Sequence, residues 1–121
     1  MSQDEFRNLT QPYSGSNPED NVWETTAEQT KETGGLGAKP LYVLTRGEWS
    51  DARPGWMSAE TQTQLRVAWE DFQADLAGLS TNSKHETVQG AGHGLHQARP
   101  QAAIDAIREV VNAARSGSEL R

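Results

Sequence analysis

The sequence predicts an α/β fold in which parallel strands alternate with helices. Three observations predict it. Leu41-Tyr42-Val43-Leu44-Thr45 is an unbroken apolar, β-rich run between Pro40 and Gly47, the pattern of a strand covered on both faces. Leu65, Trp69, Phe72, Leu76 and Leu79 recur at helical spacing and make one apolar stripe. Ile104, Ile107, Val111 and Ala114 make a second stripe after Pro100, a residue well suited to the first position of a helix.

The elements follow in order. Residues 8 to 20 hold Pro12, Gly15 and Pro18 among Ser and Asn, which is loop chemistry. Residues 21 to 33 could form a short polar helix, with Asn21 as N-cap, Glu24 three residues on, and Gly34-Gly35 as its stop. The strand at residues 41 to 45 comes next, then a loop with Pro54 and Gly55. Ser58 opens the first long helix, which Gly78 and Ser80-Thr81-Asn82-Ser83 stop near residue 80. His85 to Gln89 is a short strand candidate. Gly90-Ala91-Gly92-His93-Gly94 is a tight turn, and the Pro100 helix runs until Ser116-Gly117.

Two strands leave two sheet edges unpaired and too little surface to cover both helix stripes. The pattern therefore reads as the end of a larger sheet. Residues 1–35 form a polar, poorly ordered leader, 36–115 the structured portion and 116–121 a tail. The leader carries seven acids against two bases and only a few large apolar groups, Phe6, Leu9, Tyr13, Val22 and Trp23.

Composition excludes several functions. The 121 residues carry a formal charge of -6, which argues against nucleic acid or an anionic membrane as partner. There is no cysteine, so disulfides and thiolate chemistry are excluded. No apolar run approaches the roughly 18 residues of a membrane span, and the N-terminus lacks the basic and apolar regions of a secretory signal. A cytoplasmic location is the expectation.

Residues 36 to 115 resemble the last two βα units of the α/β-hydrolase fold. The resemblance rests on Leu36 to Gly47 as the penultimate strand, on the glycine-framed His93, and on the Pro100 helix with Ile104, Ile107 and Val111. It implies that His93 is the general base of a serine-type hydrolase, taking and returning a proton near neutral pH. Glycines beside it let the backbone turn sharply at the carboxyl end of a strand, where ligand sites of open parallel sheets lie. The triad acid would be Asp51, Glu48, or a residue on a strand this chain does not contain. Read without the resemblance, His93 is a surface-loop histidine and the two acids are solvated loop charges.

The nucleophile is missing. None of the nine serines has glycine two residues before and two after, so the Gly-x-Ser-x-Gly elbow does not occur. Ser14-Gly15-Ser16 follows no strand, and Gly34-Gly35-Leu36-Gly37 precedes its strand, which disqualifies it as a phosphate cradle. The expectation is a C-terminal portion of a hydrolase of ester, amide or related bonds, inactive alone. A small-molecule substrate would bind only with the N-terminal half present. No cofactor and no metal site are expected, since no carboxylate lies between residues 87 and 104 to join His93 and His96. The rival expectation is a non-enzymatic interaction module that self-associates through its exposed sheet edge. His85 and His96 carry no expected role. Trp69 reads as core, while Trp49 and Trp56 either pack the loop down or line a substrate entrance.

Overall fold

The computed structural model describes residues 34–50 and 53–120. The expected leader helix at 21–33 therefore lies outside the described residues. Leu36–Arg121 make one compact unit. Its elements are β1 (Leu41–Arg46), α1 (Ala59–Ala77), β2 (Ser83–Val88), α2 (Leu95–Ala98) and α3 (Pro100–Ser116). The fold is α/β, with β1 and β2 paired in parallel from Leu41↔Ser83 to Arg46↔Val88.

β2 begins at Ser83, two residues ahead of the expected His85. Parallel pairing has already started there, because Leu41 N donates to Asn82 O at 3.0 Å and Gly37 bridges Ser80. Buried Ser80 satisfies its hydroxyl on the carbonyls of Gly37 and Lys39. Asn82 also ties down the chain end: its Oδ1 accepts from Leu120 N at 2.8 Å and its Nδ2 donates to Ser118 O at 3.3 Å.

The two helices pack on opposite faces of the pair. Strand alternation puts Val43 and Thr45 on one face, where Thr45 meets Gln73 of α1. Tyr42 and Leu44 point to the other, where α3 brings Ala106 and Ile107. β1 is covered on both sides as its composition predicts, with Val43 and Thr45 buried and the rest half-buried. β2 is not, since His85, Glu86 and Thr87 are exposed. Its polar residues make surface pairs instead. Lys84 Nζ donates to Glu109 at 2.9 Å, a hydrogen bond that raises the Lys84 pKa, and Tyr42 OH donates to Glu86 at 2.6 Å. Partial burial, then that bond to Glu86, raises the Tyr42 pKa.

The helix stripes are only partly covered, as expected of two strands. On α1, Leu65, Trp69 and Phe72 are half-buried but Leu76 is 45% exposed. On α3, the buried residues are Ala106 and Ala113, while Ile104, Ile107 and Val111 are exposed, Ile107 to 64%. The reason is geometric. A two-stranded sheet is narrower than a helix with a wide apolar stripe can cover, so α3 seats its small residues on β1 and its larger ones overhang. Tyr42, Leu44, Ala103, Ile107, Val110 and Val111 line an open groove of about 360 Å³ there.

Local chemistry sets the helix ends. Ser58 is extended (φ -74°, ψ 161°), and its Oγ accepts from Thr61 N at 3.0 Å, an N-cap bond. Gly78 closes α1 with its N–H on the carbonyls of Ala74 and Asp75. α3 ends at Gly117, whose φ of 67° is the left-handed conformation that favours glycine. Ser58→Ala is expected to cost about 1 kcal/mol. Thermal unfolding followed by circular dichroism should show Tm falling by roughly 5 °C; an unchanged Tm would mean that α1 is held by its packing alone.

Candidate functional site

The carboxyl ends of β1 and β2 are knitted together by backbone. Gly47 N–H is shared between Val88 O and Ala91 O, each at 3.0 Å, and Glu48 N donates to Ala91 O at 3.0 Å. The approach is close enough to demand glycine: a Cβ on Gly47 would lie 2.7 Å from Val88 O and 3.1 Å from Gln89 Cα. Gly90 then turns the chain with φ 73°, and Ala91 is completely buried beneath the turn.

The far side of the turn is held by Arg99. Its Nε donates to Gln89 O at 3.1 Å, and its guanidinium fills the space that a side chain on Gly90 would need. Between turn and Arg99 the chain makes the single-turn helix α2, absent from the sequence expectation, with Gln97 N on Gly94 O and Arg99 N on Leu95 O. Pro100 follows at the start of α3. His93 thus stands exposed on a turn anchored at both ends.

Of the expected acids, Asp51 lies outside the described residues. Glu48 is exposed, and its main chain joins the two loops. Among the described residues, no hydrogen bond links the His93 ring to Glu48. Ser50 O accepts from Gln62 Nε2 at 3.2 Å and from Arg66 Nη2 at 3.3 Å, so the loop after β1 is pinned to α1 just before residue 51. His96 is exposed on α2. No group of three or more metal-ligating side chains occurs among the described residues.

Two features escaped the sequence reading. His85 has a structural partner: its Nε2 lies 2.8 Å from Thr45 Oγ1, which donates to Gln73 Oε1 at 3.2 Å. Thr45 is 4% exposed, so the hydroxyl is a satisfied core group. The pairing register, which sets Val43 opposite His85 and so makes Thr45 its diagonal neighbour, was the missing signal.

The second feature is an aromatic and cationic cluster. The Arg46 guanidinium lies 3.6 Å from the centroid of the Trp49 ring and 5.5 Å from that of Trp69. Trp49 and Trp69 meet edge to face at 6.1 Å, and Arg66 is 5.7 Å from the Trp49 centroid. Trp49 and Trp69 are therefore packed, whereas Trp56 is exposed. Burial, and secondly the charge of Arg66, lower the Arg46 pKa.

The described portion is thus a parallel α/β unit with a glycine-framed histidine at the carboxyl end of its sheet. No family model matches the chain, and neither a curated protein nor a solved structure does.

Proposed function

We propose that this chain is the C-terminal part of a serine-type α/β-hydrolase, with His93 as general base and with Asp51, Glu48 or a residue outside this chain as the orienting acid. The observation that carries the proposal is the pair of hydrogen bonds from Gly47 and Glu48 to Ala91 O. They hold the His93 turn against the loop of the candidate acids, at the carboxyl end of a parallel pair, where ligand sites of open sheets lie. The overhanging Ile104, Ile107 and Val111 and the groove beside β1 support it further, since a sheet continuing past β1 would cover both. The small-molecule substrate would bind across the completed sheet, at the end where His93 lies.

The 121 residues hold no Gly-x-Ser-x-Gly elbow, so the nucleophile must come from another segment. The purified chain is accordingly expected to hydrolyse short-chain nitrophenyl esters no faster than buffer, because serine and oxyanion hole supply most of the rate in such enzymes. Turnover by this chain that a serine-directed phosphonate abolishes would overturn the proposal.

The exposed apolar overhang of α3 also favours a second reading, a non-enzymatic module that self-associates through the β1 edge. Size-exclusion chromatography with light scattering separates the two. A stable oligomer of the isolated chain, together with no hydrolase half encoded upstream, would favour the module.

A further inference from the structure

We propose that Arg46, backed by Trp49 and Trp69, forms a binding site for the carboxylate of a small organic acid. The inference stands apart from the hydrolase reading and concerns the chain as it is. Arg46 is the last residue of β1, half-buried, with its guanidinium stacked on Trp49. Among the described residues, neither its Nε nor the Nε1 of Trp69, both buried, has a hydrogen-bond partner. No carboxylate pairs with Arg46 among the described residues. A second guanidinium, that of Arg66, adjoins the same Trp49 ring.

Burying a guanidinium N–H without an acceptor is costly, and an anion accepting from it relieves that cost. The guanidinium fork matches a carboxylate in bidentate geometry, and the indole N–H supplies a further neutral donor. The aromatic walls favour a monoanion with an apolar body over a phosphate dianion, whose desolvation costs more. The location at the carboxyl end of a parallel strand is where small ligands of such sheets bind.

The test is a titration of the full 15N-labelled chain with sodium benzoate at constant ionic strength, reading the Trp69 Nε1–H and Arg46 Nε–H resonances. Inorganic phosphate and sodium chloride are the parallel arms. Saturable shifts of both resonances with benzoate, and weaker or no shifts in the other arms, are expected. Arg46→Lys keeps a cation on the Trp49 face but loses the fork, and should weaken benzoate binding about tenfold or more. A linear or absent response of the wild-type chain overturns the proposal, as do equal shifts from phosphate or chloride. Unchanged affinity in a folded Arg46→Lys chain overturns it too. The wild-type titration decides by itself if that variant does not fold.

Discussion

Joined to a nucleophile-bearing N-terminal half, the chain should lose about 10³-fold or more in kcat when His93 becomes alanine. A serine hydroxyl is a weak nucleophile until a positioned base takes its proton, and removing that base leaves only binding and the oxyanion hole. His93 is suited to the role by its place: exposed, on a turn fixed at one side by Gly47 and Glu48 and at the other by Arg99. His96→Ala should leave kcat within a few-fold. His85→Ala should instead lower stability, because it removes a partner of buried Thr45. In the same fusion, Asp51→Asn compared with Glu48→Gln identifies the orienting acid by which one costs orders of magnitude; if neither does, the acid lies in the other half. The measurement is steady-state turnover of each variant with its circular dichroism matched to the parent. Near-full kcat in a folded His93→Ala fusion would remove the basis of the hydrolase proposal.

Gly47→Ala is expected to be the most damaging single-methyl change in the described unit. The added Cβ would press on Val88 O at 2.7 Å, a distance real Cβ atoms essentially never show. The obstacle is backbone, so no side chain can swing aside. Either the loop after β1 withdraws, breaking the Gly47 and Glu48 bonds to Ala91, or β2 shifts. Overpacking of this kind costs about 1–3 kcal/mol, and the lost hydrogen bonds add to it. Urea denaturation should show the unfolding free energy falling by that amount, with a lower midpoint. In the fusion, activity should fall further than stability alone explains, since the His93 turn loses its footing. A Gly47→Ala chain as stable as the parent would mean that the contact relaxes freely.

Much of the architecture was legible in the sequence because its signals are local. The unbroken apolar run at residues 41 to 45, the Ser58 cap and the Pro100 start each act within a few residues, and each element formed where its signal lay. What escaped depends on partners distant in sequence. The His85–Thr45–Gln73 chain needs the register of β1 on β2 and the seat of α1. The Arg46 cluster needs Trp69 brought from α1 to the end of β1. On α3 periodicity found the apolar side but not which of its residues touch β1: Ala106 and Ala113 are buried, while Ile104, Ile107 and Val111 stay exposed. Helix α2 was illegible for a different reason: its four residues carry no cap and no period, and the bond from Arg99 N to Leu95 O closes it.

Among the described residues, the buried apolar ones are Val43, Ala68, Val88, Ala91, Ala106 and Ala113, and no large side chain is fully buried. The heat-capacity change on unfolding grows with the apolar surface exposed, and so does sensitivity to denaturant. A core made mostly of methyl groups hides little such surface, so the isolated unit should melt over a broad temperature range with a shallow urea slope. Covering the overhang of Ile104, Ile107 and Val111 would steepen both, so the sharpness of melting is itself a gauge of whether that face is covered.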